Sequence, residues 1–189
     1  MAAATVLSTK PNYAASPDAA TGNSAGGQAS ESVLARAVIV PMNVVNRSFP
    51  VIMQEVATGQ NLTAVGNPRA TRSVIYANSD STKKVTISVD QYASSSDASS
   101  AYETAVQKSE SVPGFKPISA SNLGRHAFIG SVTQGTETHI GAGALDGNLI
   151  VGATLAGYEP TADNIAKLIK LISTEQKTAK AALDPSASP

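Results

Sequence analysis

The sequence predicts an α+β protein. An antiparallel sheet of about five strands is expected, in the order ββ-α-βββ-α after a short first helix, with the helices packed on one face. Three observations lead there. Val85, Ile87 and Val89 alternate with Thr86, Ser88 and Asp90, the period of a strand with one buried face. Residues 127–156 read as a three-stranded meander, interrupted at Gly135-Thr136 and at Asp146-Gly147. Two stretches instead carry the helical period, one built on alanine and one on isoleucine and leucine.

Residues 1–31 are rich in Ala, Ser and Gly and poor in large apolar side chains. Such a segment buries too little to offset an ordering cost of about 1–2 kcal/mol per residue, so a disordered leader is expected. A single domain over residues 32–183 and a loose tail over residues 184–189 complete the division. Residues 33–40 are apolar and end at Pro41, compatible with a strand or a helical turn. Ser48 as a cap, Pro50 in a first turn and Gly59 as a stop predict the short first helix, with Ile52, Met53 and Val56 on one face. Residues 73–77 then read as a strand through Val74, Ile75 and Tyr76, followed by a polar turn and the alternating strand.

Ser94 to Asp97 open the next helix, whose stripe is Ala98, Ala101, Tyr102, Ala105 and Val106. Val112-Pro113-Gly114 ends it. In the meander, a turn centred on Asp146-Gly147 sets Ala144 opposite Leu149, Ala142 opposite Val151 and Ile140 opposite Ala153, an apolar core face. A turn at Gly135-Thr136 sets Val132 opposite His139. The last helix is capped by Thr161, carries Asp163 near the positive end of its dipole, and buries Ile165, Leu168, Ile169 and Ile172. Lys167, Lys170, Lys177 and Lys180 form its solvated face.

Composition removes several classes of function. Lys+Arg 14 balances Asp+Glu 14, and a neutral chain lacks the positive field of a general nucleic-acid binder. No apolar run approaches the roughly 18 residues of a membrane-spanning helix. The absence of cysteine excludes disulfides, thiol catalysis and thiolate metal sites. Met1 is not followed by a signal peptide, so the protein is either cytoplasmic or an exported domain in which Met1 replaces a removed signal. The latter makes the leader a tether and the domain extracytoplasmic or cell-surface. The sequons at Asn46 and Asn61 read as chance.

Reactive constellations are scarce. The run from Gly141 to Gly147 resembles a nucleotide loop, but Asp146 stands at the third glycine position and a strand follows where a helix N-terminus is needed. His126 and His139 are the two histidines, do not neighbour one another, and lack the converging ligands of a metal site. Glu137 is close in sequence but is expected to point away from His139. No Gly-x-Ser-x-Gly elbow occurs. Asp90 and Asp97 flank a strand-to-helix loop and are expected to be solvated. No catalytic residue, metal or cofactor is assigned.

The second face of the meander stands out instead. Gly141, Gly143 and Gly152 leave it low, with Phe128, Val132, His139 and Ile150 around that floor. Two readings compete: Phe128 covers Gly143 across the strands, an aromatic shield for a strand glycine, or the floor takes a small apolar ligand or a partner's side chains.

The run Ile87-Ser88-Val89-Asp90-Gln91-Tyr92, the Ser/Asp-led helix with Ala101-Tyr102, Phe128-Ile129-Gly130, Leu149-Ile150-Val151 and the terminal Ile/Leu helix together resemble small actinobacterial envelope domains. These are exported lipoproteins and kinase extracellular sensor domains, more distantly of the PsbP/Mog1-like fold, and the likeness spans roughly residues 33–180. Sensor domains of this sort usually carry disulfides, and a lipoprotein begins at a lipidated cysteine; this chain has no cysteine. The resemblance implies a non-catalytic extracytoplasmic binding module for a small apolar ligand or an envelope protein, and carries no site residue with it. The alternatives are a small enzyme using a histidine general base with a carboxylate partner and a structural protein that forms a homo-oligomer.

Overall fold

The computed structural model of the chain describes residues 32–119 and 126–184. The leader expected over residues 1–31 and the tail beyond Asp184 lie outside the described residues. The elements are β1 (Ser32–Val33), a single 3₁₀ turn (Arg36–Val38), α1 (Met42–Ser48), β2 (Gln54–Gly59), β3 (Ala70–Ala77), β4 (Lys84–Gln91), α2 (Ser95–Glu110), β5 (Lys116–Ile118), β6 (Ala127–Gln134), β7 (Glu137–Asp146), β8 (Leu149–Ala156) and α3 (Ala162–Leu183). The class is α+β, as the periodicities predict.

All described strands belong to one sheet of eight, not about five. Its order is β1-β3-β4-β8-β7-β6-β5, with β2 also paired to β3. The β1–β3 pair is parallel and the others are antiparallel. The three additional strands all run at sheet edges. Two are too short to show a period, and β5 contains Pro117, which only an edge tolerates.

The short first helix lies earlier than predicted. It is α1, entered at Pro41, and Ser48 is its last residue, not a cap. The segment expected to be a helix becomes β2, because Met53 donates its N–H to the Ala77 carbonyl and starts a ladder along β3. Of its supposed apolar face only Ile52 enters the core, while Met53 and Val56 are exposed.

The meander keeps its predicted faces but not its predicted register. Asp146 pairs with Leu149, Ala144 with Val151, Ala142 with Ala153 and Ile140 with Leu155. The turn is therefore centred on Gly147-Asn148. Gly147 alone has a positive φ, 62°, the pattern of a turn with glycine at its first central position. The ladder shifts by two residues, and a two-residue shift restores every side chain to its original face. The Gly135-Thr136 turn is as expected, with Val132 opposite His139.

The helices divide between the two faces of the sheet instead of sharing one. Val74, Tyr76, Val85, Ile87, Val89, Ile140, Val151 and Leu155 point toward α3, where they meet Leu168, Leu171 and Ile172 in the main core. The 3₁₀ turn and α1 close the same side with Val38, Val45 and Phe49. Helix α2 covers the opposite side. Its Ala98, Ala101 and Ala105 pack with Val65 and Tyr92 and against Leu145 and Ile150. A sheet of this width leaves two apolar faces, and a stripe of alanines lets a helix lie close on a face with glycines in it.

Local signals secure both long helices. Ser94 Oγ accepts from the Asp97 N–H at 3.1 Å and donates back to the Asp97 carboxylate at 2.7 Å, closing the first turn of α2. Thr161 Oγ1 accepts from the Asn164 N–H at 3.2 Å at the start of α3.

Candidate functional site

The α2 side of the meander gathers the seven residues that the sequence singles out. Phe128, Gly143 and Gly152 form one cross-strand row, Gly141 lies between Gly130 and Thr154 in the next, and Val132 and His139 pair in a third. Ile150 pairs with Leu145 on one side and Asp90 on the other. These side chains share a face because directly paired residues of an antiparallel ladder point the same way.

The floor is covered by the protein's own aromatic rings. A Cβ on Gly143 would lie 2.8 Å from Phe128 Cε1, and one on Gly130 would lie 2.1 Å from Phe115 Cε2. Both rings therefore rest on bare backbone. The Phe128 ring also meets Tyr102 of α2 edge-on, with centroids 5.9 Å apart. Phe115, Phe128 and Val112 are half-buried around the fully buried Val132, forming a small cluster separate from the main core. Burial pushes the Tyr102 hydroxyl up to about 12, so it stays protonated.

His139 is buried, with its Nε2 3.5 Å from the Glu137 carboxylate. Residues two apart on a strand share a face, so Glu137 does not point away as expected. The contact is long for a hydrogen bond, and Nε2 has no hydrogen-bond partner among the described residues. Burial lowers the imidazole's affinity for a proton, and Glu137 opposes that shift without reversing it. His126 is exposed at the turn before β6, apart from this pair. Among the described residues no three His, Asp or Glu side chains are placed to hold a metal ion.

A second feature on this side is one that the sequence does not announce. Asp90 is not in a solvated loop. It lies on β4, buried, and accepts from Asn61 Nδ2 at 2.8 and 3.0 Å. Asn61 also donates its backbone N–H to Thr71 Oγ1 at 2.9 Å and accepts from Thr63 Oγ1 at 2.8 Å. The alternation Thr86, Ser88, Asp90 is the signal that places the carboxylate on the sheet. It says nothing of Asn61, which the loop after β2 brings in. Close by, a cleft of about 340 Å³ opens between α2 and residues 65–67, floored by Tyr92 and Ala101 and walled by Asn67, Ser100, Thr104 and Lys108. None of the seven predicted residues lines it.

On the opposite side, Glu175 of α3 is fully buried. Its Oε2 accepts the Val40 N–H at 2.8 Å, while Oε1 has no hydrogen-bond partner among the described residues. Tyr76 donates to the Val40 carbonyl at 2.7 Å, so two buried side chains hold Val40 by its N–H and its carbonyl. Burial raises the Glu175 carboxyl to about 8, against the Val40 hydrogen bond and the charge of Arg36. Its position three residues after Ile172 and four before Ala179 is the available signal, since it continues the core stripe of α3.

No family model matches the sequence, and no curated protein matches it. Among solved structures, the chain is similar to the extracellular domain of PknH from Mycobacterium tuberculosis. The identity is 14% and the TM-score 0.55, over 75% of this chain and 94% of that one. At that identity the likeness shows a shared fold, that of an extracellular domain of a mycobacterial kinase.

Proposed function

We propose that this protein is a non-catalytic extracytoplasmic binding module, and that its ligand surface is the α2 side of the meander. The observation that carries this reading is the pair of half-buried rings, Phe115 and Phe128, standing on Gly130 and Gly143 in a cluster separate from the main core. Such rings can leave their places without opening the main core. A small apolar ligand that displaces them would find a floor of backbone and small side chains, walled by Val132, His139 and Ile150, with Gly141 and Gly152 beneath it. The fold likeness to a kinase's extracellular domain supports placing the domain outside the cytoplasm. No described helix is long and apolar enough to cross a membrane.

The test is calorimetric titration of the full chain with a medium-chain fatty acid, haem and small aromatics. Phe128→Ala should bind a small aromatic more tightly than the parent protein, because the competing ring is gone. Gly143→Val, which fills the floor, should abolish that binding. Absence of binding by both the parent and Phe128→Ala overturns this ligand surface, and hydrolytic turnover overturns the non-catalytic reading.

A further inference from the structure

Residues 34–40 link β1 to α1 as a strap along the α3 side of the sheet. The 3₁₀ turn within the strap packs against α3, and Val38, Ile39 and Val40 are buried in the main core. At one end the Leu34 N–H donates to the Thr71 carbonyl at 2.9 Å, and Arg72 Nε donates to the Leu34 carbonyl. Between the ends the backbone bonds are local, from Val38 to Ala35 and from Ile39 to Arg36, each at 3.2 Å. At the other end Val40 belongs to no strand, and its backbone is held by two side chains, Glu175 at the N–H and Tyr76 at the carbonyl.

Glu175 can hold Val40 without penalty only as a neutral acid. The residue is fully buried, and Oε1 has no hydrogen-bond partner among the described residues. A neutral carboxyl leaves one hydroxyl unmet; a carboxylate leaves a charge in the core with a single N–H to support it, which costs far more. The strap offers one cation, Arg36, whose charge reaches Glu175. Its Nη2 is bonded to Glu55 at 2.8 Å and to the Tyr76 hydroxyl, and its Nη1 to the Ile39 carbonyl at 3.0 Å. From β3, Tyr76 turns its hydroxyl to Val40, and from β2 Glu55 is bonded to the same Arg36. On this side β7 and β8 carry apolar Ile140, Ala142, Val151, Ala153 and Leu155, and Asp146 at the end of β7 is paired with Lys180 at 2.7 Å. α1 adds Val45 to the core and leaves Arg47 exposed. Tyr158, after β8, meets Phe49 and Lys83. On α3 itself Lys177 and Lys180 are exposed. An ionised Glu175 therefore finds no uncommitted cation among the described residues.

We propose that residues 34–40 form a pH-operated latch, closed on α3 while Glu175 keeps its proton and loosened when the proton leaves. Lifting the strap takes one short segment off the core and lets water reach the carboxylate, whereas moving α3 would dismantle the core itself. Closing therefore takes up a proton, and opening releases it. The latch is tightest in acid and slackens as pH rises. Opened, it bares the part of the main core that Val38, Ile39 and Val40 fill. It lies on the opposite face of the sheet from the proposed ligand surface, and neither depends on the other.

Amide hydrogen exchange of the full chain reads the latch residue by residue, once rates are corrected for the intrinsic pH dependence of amide exchange. For Val38, Ile39 and Val40 the opening equilibrium should rise about tenfold per pH unit between 4.5, where a solvated carboxyl titrates, and about 8, and level off above. In Glu175→Gln the same amides should lose that slope. The amides of Val85 and Val151, in central strands, should exchange at least about tenfold more slowly than the strap at every pH, because they open only with the whole fold. Carbon-13 NMR of the Glu175 carboxyl needs no variant and should show a midpoint near 8. Strap protection that is flat across the window overturns the proposal, as does a slope that persists in Glu175→Gln. So does a strap as protected as Val85 and Val151, or a Glu175 midpoint near 4.5. Should Glu175→Gln fail to fold, the parent's exchange slope and the carboxyl titration decide.

Discussion

The two faces of the sheet are built from different materials. The α3 face is made of large branched side chains, with Val74, Val85, Ile87, Val89, Ile140, Val151, Leu155, Leu168 and Ile172 all at 0% exposure. The α2 face is made of alanine, glycine and small polar groups, with aromatic rings filling what the glycines leave open. Each face also holds one buried carboxylate, handled differently. Asp90 on the α2 face is met by the two-donor amide of Asn61. Glu175 on the α3 face receives one backbone N–H, and burial pushes its carboxyl up to about 8. The difference teaches that large apolar side chains are concentrated on one side. The other is filled by alanines, half-buried rings and polar contacts, and is the surface we propose for a ligand.

That contrast can be broken by measurement. The largest loss is expected from Ile172→Ala on the α3 face. It should cost about 2–5 kcal/mol of unfolding free energy in urea titrations, through lost transfer energy and a residual cavity. Equal loss from Phe128→Ala would mean that the α2 face is a second core of the same rank. Asn61→Ala should come next, at about 1–3 kcal/mol, since it removes the donors Asn61 gives to Asp90 and its bond to Thr63. A change within about 0.5 kcal/mol would show that the α2-side network positions the loop without stabilising the fold.

Glu175→Gln sharpens the same comparison through pH. The carboxyl titrates near 4.5 when solvated and is raised to about 8 in the folded protein. Between those values the folded state holds a proton that the unfolded state has released. The parent protein's stability should therefore fall as pH rises across that window and level off above it. Glutamine has no such proton to lose, so the advantage of Glu175→Gln should grow from the acid end of the window to the alkaline end. Urea midpoints at a series of pH values read this directly, and a pH-independent difference would contradict it. The smallest effect is expected on the solvated side of α3. Lys167→Ala breaks the 2.6 Å ion pair with Asp163, yet Asp163 is largely hydrated and Lys167 partly so, and the cost should stay within about 0.5 kcal/mol.

Much of the fold is legible in the order of the residues, and the exceptions follow a pattern. β3, β4 and the meander can be read because a sustained period of two is hard to mistake, and α2 and α3 because their stripes run over several turns. β1 and β5 are invisible because two or three residues carry no period. β2 reads as a helix because Ser48, Pro50 and Gly59 are local capping signals, and pairing with β3 overrides them. Of the site, the face shared by Phe128, Val132, His139, Gly141, Gly143, Ile150 and Gly152 is legible from alternation alone. Phe115 is not, because it reaches Gly130 from a loop with no period of its own.

By itself the sequence determined which long stretches become strands and helices and which side chains share a face, since both follow from the local geometry of the backbone. The tertiary structure alone decided that α2 and α3 take opposite faces, that Phe115 and Phe128 cover the glycines, and that Asn61 finds Asp90 and Val40 finds Glu175. Those are contacts between residues far apart in the chain. Their energy depends on the path the backbone takes between them, which no local period encodes.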